Sequence, residues 1–408
     1  MCVLAASLTT TVAAQERFEQ GKPNISSYRY LDDYQALKNY INYSKYPNFK
    51  LGIGTTVSDY LSNSTFRSLV NKNFTETVAG NAMKMQSCVD DNGNMNFETV
   101  KRYVKAATEA GLHVYGHTLA WHSQQPNGWL RSLVNGKSQQ VRHDTLVYAM
   151  DKWIKGMMEA CDGKVKAWDL VNEALAGEGN DGEGNYLLQH STGYKSGTWD
   201  VGGNAFYWQD HLGDLDYVRQ ACRLARKYGP EDIKLFINDY NLESDWDNNK
   251  KVKSLVGWIK KWEADGVTKI DGIGTQMHIS CYEDDNIMKS IKSHITTMFE
   301  VIAKSGKFCR VSEMDMGYVR GTNRWGSSIK TNQLTEAEHK KMADFYEWII
   351  KEYFRIIPPE QQWGICQWCT TDAPTNSGWR GGEPVGIWDL DFYRKHVYAG
   401  FVRGLRTE

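Results

Sequence analysis

Residues 165–174 read VKAWDLVNEA, a largely apolar run that ends in the polar pair Asn172 and Glu173. A short apolar run of this kind is typical of a buried β-strand. Amide and carboxyl groups are costly inside a core, but they are natural where a parallel strand ends at the open face of a barrel. The stretch therefore predicts a strand that delivers Asn172 and Glu173 to such a face.

Runs of the same kind recur along the 408 residues, and most are separated by helical patterns. The eight predicted strands are Lys50–Gly54, Thr77–Met83, His113–His117, Val165–Asn172, Lys234–Asn238, Gly272–His278, Arg310–Asp315 and Gly364–Trp368. Between strands, Thr99–Ala110, Tyr217–Tyr228 and Glu336–Phe354 have apolar residues at three- and four-residue intervals, as amphipathic helices do. Strand followed by helix, eight times over, predicts an α/β fold, a single-domain (β/α)8 TIM barrel, rather than a sandwich.

Segments outside this repeat complete the predicted organisation. Residues 177–213, rich in Gly, Asn, Asp and Tyr, are expected to form a long loop after strand 4 on the functional face. Residues 15–48 are expected to form an N-terminal extension that packs on the barrel of residues 49–408, with a helix over Leu31–Tyr43 closing the barrel bottom. Residues 1–14 resemble the end of a signal peptide, although no positive segment precedes them, and predict a secreted or exported protein (periplasmic, cell-surface or extracellular).

Charge and cysteine content argue against several classes of protein. The formal net charge is −1 and no basic run occurs, whereas a nucleic-acid-binding face needs an excess of Lys and Arg. No stretch after the first residues approaches the roughly 20 apolar residues of a membrane span. The eight cysteines are irregularly spaced, and the one C-x-x-C, Cys366 to Cys369, lacks the second pair of a zinc site. We expect structural thiols, with a disulfide left open, and a monomer.

A second carboxyl group occupies the end of another predicted strand. The seventh strand ends Ser312-Glu313-Met314-Asp315, so Glu173 and Glu313, on strands four and seven, are expected to face each other across the barrel mouth. Glycoside hydrolysis needs two carboxyls: one protonates the leaving oxygen, and the other attacks the anomeric carbon or activates water. At a strand period of two, Asp315 shares the side of Glu313. His278, from the adjoining strand, is expected to bridge toward Asp315 or Glu313 and keep Glu313 ionised.

Other interpretations of these polar residues remain open at this point. A single glutamate at a strand end is often an ordinary surface ion-pair residue, and His117 and His122 could be histidines with satisfied hydrogen bonds. Two glutamates, with Asn172 before one and Asp315 after the other, favour chemistry over a structural role. No H-E-x-x-H pattern and no Asp-rich loop suggests a metal, so no metal and no cofactor are expected.

Seven stretches of the sequence match a known pattern in order. They are Asn81-Ala82-Met83-Lys84, GHTLAWHSQ (116–124), WDLVNEA (168–174), INDYN (237–241), GTQMHI (274–279), SEMD (312–315), and Trp368 with Gly378-Trp379-Arg380. Together they resemble glycoside hydrolase family 10, the endo-xylanases, over nearly the whole chain after residue 49. The resemblance implies an endo-1,4-β-xylanase that cleaves internal linkages of xylan and xylo-oligosaccharides by a retaining double displacement, without a cofactor.

The resemblance also implies a role for each matching residue. Glu173 corresponds to the acid/base and Glu313 to the nucleophile, with carboxyl groups about 5–5.5 Å apart as in retaining enzymes. Asn172 would hydrogen-bond the substrate 2-hydroxyl and the nucleophile, and His278 and Asp315 would support Glu313. The implied substrate-binding residues are Asn81, Lys84, His117, Trp121, Gln124 and Gln276 in the glycone subsites, Tyr240 and Asn241 toward the aglycone, and Trp368 and Trp379 as a hydrophobic wall that accepts xylose.

The sequence departs from the family pattern at Gly80, where a glutamate usually precedes Asn81 and binds a xylose one subsite beyond the cleaved unit. The missing carboxylate leaves room there, and we hypothesise that a decorated xylose is tolerated in this subsite. Two other functions are kept as alternatives. One is a related β-glycanase that acts on cellulose or mixed-linkage glucan; the other is a non-catalytic carbohydrate-binding barrel.

Overall fold

The sheet of this protein is a closed parallel barrel. The computed structural model describes residues 21–22, 24–191 and 205–406. Its strands are β1 (Lys50–Thr55), β2 (Glu76–Ala79), β3 (His113–Gly116), β4 (Ala167–Asn172), β5 (Lys234–Asp239), β6 (Gly272–Thr275), β7 (His278–Tyr282), β8 (Phe308–Val319) and β9 (Gln362–Gln367). Parallel pairing runs from β1 to β6 in chain order, then from β6 to β8, β9 and back to β1. Eight strands thus close the ring, which confirms the predicted (β/α)8 barrel.

Helices surround the barrel. They are α1 (Val57–Ser62), α2 (Ser64–Asn73), α3 (Met85–Cys88), α4 (Glu98–Glu109), α5 (Asn127–Val134), α6 (Gln139–Cys161), α7 (Gln209–Leu212), α8 (Asp216–Tyr228), α9 (Lys250–Glu263), α10 (Asp285–Lys304), α11 (Glu336–Ile356) and α12 (His396–Leu405). The three helices predicted from amphipathic spacing are α4, α8 and α11. Helix α11 is capped by Thr335, whose hydroxyl accepts from the N–H of Glu338, while the Glu338 carboxylate accepts from the Thr335 N–H. In the described part of the chain, no helix combines the length and the apolar character needed to span a membrane.

Two predicted strands end earlier than expected. The strand expected over Gly272–His278 is broken after Thr275, because Met277 takes a left-handed backbone conformation (φ 56°) and cannot continue it. The chain resumes as β7, which pairs only with the distal half of β8, in a register that places His278 opposite Asp315. The strand expected over Thr77–Met83 ends at Ala79, so that Asn81 lies in a loop. Both corrections occur at the carboxyl ends of strands, where the site lies.

The predicted helix over Leu31–Tyr43 is wrong. Two 3₁₀-helices, Ser26–Asp33 and Leu37–Tyr40, occupy the region instead. Between them the backbone groups of Gln35 bond to side chains: the Tyr40 hydroxyl accepts from its N–H (2.8 Å) and the Tyr398 hydroxyl donates to its carbonyl (2.6 Å). A continuous α-helix needs these groups for its own ladder, so the tertiary partners break it.

The N-terminal extension packs on the outside of the barrel, against helix α12. Tyr28 lies against His396 of α12 with ring centroids 4.3 Å apart. The bottom is filled by the barrel's own strands, where Arg310 pairs with Glu76 (2.8 Å) and Trp363 donates to the same carboxylate (3.0 Å). That residues 31–43 close the bottom of the barrel stays a prediction.

The described residues after β4 form part of the long loop that the sequence predicts, but Gln209–Leu212, inside its predicted range of 177–213, form helix α7. The other described parts of this loop, residues 173–191 and 205–208, contain no helix or strand, only an isolated bridge between Leu175 and Leu188. Residues 192–204 of the predicted loop lie outside the described residues, as do residues 1–14. The seven cysteines among the described residues are all free thiols, and six of them are buried.

One close approach positions β4 for its role. A Cβ on Gly116, at the end of β3, would lie 2.1 Å from the indole of Trp168 in β4. Only glycine lets the fully buried Trp168 ring fill this space beside the neighbouring strand. The packing fixes β4 against β3 at Trp168. Asn172, the last residue of β4, lies four residues further on, and Glu173 follows it.

Candidate active site

Glu173 and Glu313 lie in the same barrel mouth, and two residues contact both of them. The carbonyl of Asn238 accepts from the N–H of Glu173 (2.7 Å), while its side-chain Nδ2 donates to Glu313 Oε1 (2.8 Å). Gln276 reverses this pattern: its Nε2 donates to Glu173 Oε1 (2.9 Å), and its carbonyl accepts from the N–H of Glu313 (3.2 Å). Four hydrogen bonds through two shared residues therefore hold the two glutamates in one place.

The environment of Glu173 favours the protonated acid. Its carboxyl oxygens accept hydrogen bonds from Gln276 Nε2 and from Trp121 Nε1 (3.1 Å). Burial, together with the negative charges of Asp239 and Glu313, outweighs these bonds and raises the pKa of Glu173 to about 7. The residue itself sits at φ 56°, a left-handed conformation that turns its side chain at the end of β4. Near neutral pH this carboxyl can therefore supply a proton.

The environment of Glu313 favours the carboxylate. Burial alone would raise its pKa, but a hydrogen bond with His278 and the positive charges of His117, His278 and Lys84 outweigh this effect. The result lowers the pKa of Glu313 to about 2. Its Oε2 lies 3.3 Å from His278 Nε2, and Asn238 donates to the other oxygen. The group is thus ionised at neutral and at mildly acidic pH.

His278 links Glu313 to a second carboxylate, as predicted from the sequence. Its Nδ1 lies 3.1 Å from Asp315 Oδ2, opposite the nitrogen that faces Glu313. Burial alone would lower the pKa of His278, but the two carboxylates raise it to about 10. Asp315 is held in turn by Trp379 Nε1 (2.7 Å) and by Arg380 Nη1 (3.1 Å). The imidazolium is therefore fixed in orientation as well as in charge.

Asn172 makes no hydrogen bond to Glu313 among the described residues, although the resemblance implied one. Among the described residues its Oδ1 accepts from Asn238 Nδ2 (2.8 Å) and from Gln276 Nε2 (3.5 Å), and it is Asn238 that donates to Glu313. The Ser312 hydroxyl donates to Asn238 Oδ1 (2.6 Å), which fixes the orientation of that amide. Because the Asn172 oxygen is the accepting atom, its NH₂ group is left for a ligand.

Three of the predicted glycone residues form one polar cluster. Lys84 Nζ donates to Asn81 Oδ1 (2.9 Å) and to Gln124 Oε1 (2.5 Å), and Gln124 Nε2 lies 3.3 Å from Asn81 Oδ1. The Lys84 ammonium also lies 5.1 Å from the Trp121 ring centroid, within the range of a cation–π contact. The cluster is joined to Glu173 through Trp121, whose indole N–H donates to the Glu173 carboxyl.

His117 is oriented by a buried carboxylate that the sequence interpretation overlooked. Its Nδ1 lies 2.8 Å from Asp169 Oδ2, and the Tyr115 hydroxyl donates to the other oxygen (2.7 Å). Both His117 and Asp169 are buried. The pairing leaves Nε2 as the ring nitrogen available to a ligand.

The two predicted wall residues flank His278. The ring of Trp379 lies 4.6 Å from the His278 ring and that of Trp368 lies 6.4 Å from it, both edge to face. Trp368 also approaches His117, at 5.8 Å between centroids. The two indoles therefore border the pocket on the Glu313 side with rigid apolar surface.

Tyr240 and Asn241 follow β5, at the edge of the site. Lys251 Nζ lies 3.3 Å from the Tyr240 ring centroid and pairs with Asp239 Oδ1 (2.8 Å). The other Asp239 oxygen accepts from the N–H of Leu175 (3.0 Å), which ties the loops after β4 and β5 together. Asn241 has a left-handed backbone (φ 57°) and makes no hydrogen bond to either glutamate in the described part of the structure.

Sequence reasoning missed several residues that shape the site. Asn238 had a usable signal, because it ends the fifth strand as Asn172 ends the fourth, and the two are paired in register. Asp169 and Arg380 lie inside stretches that match the family pattern, but the sequence alone does not indicate the direction of their side chains. Lys251 gave no signal: it lies in a lysine-rich helix start and is distinguished only by being buried. Among the described residues, no group of three or more His, Cys, Asp or Glu side chains could hold a metal ion.

The mouth of this closed parallel barrel holds two carboxyl groups, of which one favours the protonated state and the other stays ionised. These features define a class of protein: (β/α)8 enzymes that carry out acid–base chemistry with a pair of glutamates. Comparisons with known proteins narrow this class. The sequence pattern of Glycosyl hydrolase family 10 matches residues 41–403. The chain belongs to this family.

Curated relatives and solved structures agree with the family. Endo-beta-1,4-xylanase Xyn10C of Cellvibrio japonicus is 30% identical over 341 residues, covering 80% of this chain and 50% of the relative. Endo-1,4-beta-xylanase A of Caldicellulosiruptor saccharolyticus is 29% identical over 338 residues, covering 83% and 85%. The chain thus spans only half the length of the first of these relatives.

Two solved structures have a similar fold. The endo-1,4-beta-xylanase of Caldicellulosiruptor owensensis superposes with a TM-score of 0.71 at 25% identity, covering 90% of this chain and 99% of that one. Xylanase10C of Cellvibrio japonicus in complex with xylopentaose superposes with a TM-score of 0.73 at 24% identity, covering 92% of this chain and 69% of that one.

Proposed function

We propose that this protein is a retaining endo-1,4-β-xylanase in which Glu173 is the acid/base and Glu313 the nucleophile. The observation that carries the proposal is the pair of opposite proton affinities held in one mouth by Asn238 and Gln276. A retaining glycosidase needs one carboxyl that carries a proton and one that does not. The relatives that are named endo-xylanases support the xylanase part of the proposal.

In the first step, Glu173 donates its proton to the glycosidic oxygen while Glu313 attacks the anomeric carbon. The bond between that carbon and the leaving oxygen breaks, and the electron pair remains on the protonated leaving group. A covalent xylosyl ester on Glu313 forms. The His278 imidazolium, fixed by Asp315, holds the attacking carboxylate in place and stabilises its charge before attack.

In the second step, Glu173 acts as a base. Once Glu313 is esterified its negative charge is gone, which removes one cause of the raised pKa of Glu173. The Glu173 carboxylate then takes a proton from water as the water oxygen attacks the anomeric carbon from the face that the leaving group vacated. The ester bond breaks, Glu313 returns as a carboxylate, and the product keeps its configuration.

Xylan is the proposed substrate because rigid indoles border the pocket. Trp368 and Trp379 are held beside His278, and the Trp379 N–H is fixed by Asp315. We expect them to exclude the hydroxymethyl group that a glucose unit carries and a xylose unit lacks. Release of reducing sugar from xylan and from carboxymethyl-cellulose, compared at equal enzyme, tests this; equal rates would favour the β-glycanase alternative.

Three further measurements separate the remaining alternatives. Proton NMR of the first product distinguishes retention from inversion, and an initial α-anomer would contradict the assigned mechanism. Binding of xylan without release of reducing sugar would favour the non-catalytic barrel, and loss of activity on adding a chelator would favour a metal hydrolase.

The family departure at Gly80 leads to a finer proposal about substrate decoration. A Cβ on Gly80 would meet only the Thr55 carbonyl, at 3.4 Å, so a larger side chain can be accommodated there. Without a carboxylate, the subsite lacks a charge-assisted contact of about 1.5–3 kcal/mol. Gly80→Glu should therefore improve kcat/KM on undecorated xylotriose by about tenfold or more and reduce it on substituted xylan. Unchanged kinetics on both xylotriose and substituted xylan would contradict the proposal that this subsite tolerates a decorated xylose.

Export from the cell is part of the proposal, because xylan is a polymer too large to cross a membrane. Residues 1–14 are the segment whose composition prompted this expectation. Fractionation of the producing cells, with xylanase activity measured in the medium, in the periplasm or surface fraction, and in the cytosol, tests it. Activity confined to the cytosol would contradict it.

A further inference from the structure

Two tryptophans stand out on the surface of the described chain. Trp246 and Trp325 are 53% and 72% exposed, whereas the other described tryptophans are buried or half-buried. Their ring centroids lie only 5.7 Å apart, in a tilted arrangement. A large apolar side chain exposed alone needs no explanation, but two indoles exposed together form a patch that water wets poorly. We call this pair the tryptophan platform.

The platform has a rigid base. The guanidinium of Arg324 lies 5.6 Å from the Trp246 ring and 5.8 Å from the Trp325 ring, within the range of cation–π contact with both. Arg324 pairs with the buried carboxylate of Asp245, which also accepts from the Ser290 hydroxyl (2.7 Å). The Tyr282 hydroxyl donates to the Arg324 carbonyl (3.1 Å). The exposed rings are thus held by groups that are themselves bonded, so little conformational entropy is lost when a ligand stacks on them.

The platform lies on the same face of the barrel as the two glutamates. Trp246 is in the loop between β5 and α9, five residues after Asn241. Trp325 follows β8, the strand that carries Glu313 and Asp315. Strands β7 and β8 continue as a paired ribbon for four residues beyond the His278–Asp315 level, a rise of about 13 Å, and Trp325 lies beyond their end. The platform therefore sits outward from the mouth, on the side where Tyr240 and Asn241 lie.

We infer that the tryptophan platform is a distal binding site for the aglycone part of the same xylan chain that is cleaved between Glu173 and Glu313. The inference rests on the proposed function. The chemistry that fits is a β-1,4-linked pentopyranose chain, whose rings present flat C–H faces to an indole and carry no hydroxymethyl group to prevent close stacking. Because Trp246 lies in the same loop as Tyr240 and Asn241, we assign the platform to the xylan chain that is bound in the barrel mouth and not to a second xylan chain.

The test uses the double variant Trp246→Ala/Trp325→Ala and three substrates. An aryl xylobioside with a good leaving group occupies only the glycone side, so its kcat/KM should change less than twofold. Xylohexaose and soluble xylan reach the aglycone side, and their kcat/KM should fall about tenfold, as expected for truncation of stacked aromatic anchors. In hexaose labelled at the reducing end, cleavage should shift toward that end, because fewer aglycone units are held.

Two controls keep this test interpretable. Tyr148→Ala removes another exposed aromatic ring (60% exposed, with Lys152 Nζ 4.7 Å from it) on α6, and it should leave all three substrates unchanged. Trp246→Phe/Trp325→Phe keeps flat rings and should retain most of the xylohexaose activity, whereas a fold defect in the alanine variant would lower aryl xylobioside activity as well. If the aryl xylobioside activity of the double alanine variant falls, the role of the platform is decided by the position at which the phenylalanine and single-alanine variants cleave hexaose.

Three outcomes would overturn the inference. Unchanged xylohexaose kinetics and cleavage position in the alanine variant would show that the platform binds no aglycone. Loss of binding to insoluble xylan with unchanged xylohexaose kinetics would show that the platform holds a different chain. A phenylalanine variant as impaired as the alanine variant would exclude stacking. By contrast, a wild-type protein that hydrolyses the aryl substrate but no xylan would contradict the proposed function itself.

Discussion

Strands β4 and β8 bring the same functional group to the barrel mouth in opposite protonation states. Glu173, after β4, has Asp239 and Glu313 as charged neighbours, and its pKa is raised to about 7. Glu313, in β8, has His278, His117 and Lys84, and its pKa is lowered to about 2. Both carboxyls are surrounded by protein, and for both, burial acts in the same direction. The sign of the neighbouring charges decides which of the two keeps its proton.

The contrast has a second aspect, which is how each carboxyl is supported. Glu173 is held by two neutral donors, Gln276 and Trp121, that bind either protonation state. Glu313 is held by a cation, His278, that is paired with Asp315, and Asp315 is held in turn by Trp379 and Arg380. The first arrangement lets a proton leave and return; the second prevents protonation. Four mutational experiments examine this contrast, beginning with the largest expected effect.

Glu313→Ala removes the carboxylate that stays ionised. Without a nucleophile no glycosyl ester forms, and kcat on every xylan-derived substrate should fall by about 10⁴-fold or more. The measurement is steady-state hydrolysis of an aryl xylobioside and of xylohexaose. Added azide should restore part of the aryl activity with an inverted glycosyl azide as product; a product of retained configuration would mean that the roles of the two glutamates are exchanged.

Glu173→Ala should have an effect that depends on the leaving group. General-acid assistance contributes about 10²–10⁴-fold for a sugar leaving group and little for a nitrophenolate, which needs no proton to leave. We expect xylohexaose hydrolysis to fall by that factor, while the first turnover on a nitrophenyl xylobioside stays close to the wild-type rate. Stopped-flow measurement of the nitrophenolate burst checks this, and equal losses on the two substrates would contradict the acid role.

His278→Gln removes the cation beside Glu313 but keeps a hydrogen-bond donor. Because the imidazolium favours the charged form of Glu313, its loss should raise the pKa of that carboxyl by about one to two units. The acidic limb of the kcat/KM profile should move upward by the same amount, while the basic limb near pH 7, set by Glu173, should move much less. In profiles from pH 3 to 9 on one substrate, the acidic limb should enter the measured range only in the variant, while the basic limb should lie near pH 7 in both proteins. A uniform loss at all pH values would mean that His278 has only a packing role.

The smallest effect concerns stability, and it should have opposite signs for the two residues. The pKa of folded Glu173, about 7, lies above the ordinary value of 4.5, so the unfolded chain releases this proton first and stability is lost as pH rises from about 4.5 to 7. Glu173→Gln should therefore be about 1–2 kcal/mol more stable than wild type at pH 8, with no gain at pH 4.

Glu313 supplies the matched control for that experiment. Its folded pKa, about 2, lies below the ordinary 4.5, so its ionisation stabilises the fold above pH 4.5, and this contribution is lost as pH falls toward 2. Glu313→Gln should be less stable than wild type at pH 8. Urea unfolding of both variants at pH 4 and 8 measures the two shifts, and shifts of the same sign would mean that these pKa differences do not govern stability.

The sequence was informative wherever a rule about strand ends applied. Polar residues after apolar runs identified the barrel and located Glu173, Glu313, His278 and Asp315, because parallel strands in a barrel all end at one face. The rule says nothing about which neighbour reaches across, and so the Asn172 contact was assigned where Asn238 makes it.

Other errors arose where tertiary contacts override local pattern. The left-handed Met277 divides a run that reads as one strand, and the side chains of Tyr40 and Tyr398 take the backbone bonds that an α-helix through Gln35 would use. Buried Lys251 looks like a solvated lysine until Asp239 and Tyr240 are found beside it. Each of these depends on a partner that is distant in the chain, and local propensity carries no information about such partners.

Asn238 and Gln276 each bond one glutamate through the main chain and the other through the side chain. Because each residue is bonded to both glutamates, a shift of one strand moves the two carboxyls together, and the distance between them changes little. Thermal motion of the surrounding loops should therefore leave the distance between the Glu173 and Glu313 carboxyl groups nearly unchanged. On heating, activity should be lost in the same transition as the barrel itself, with no earlier step in which a folded barrel has become inactive.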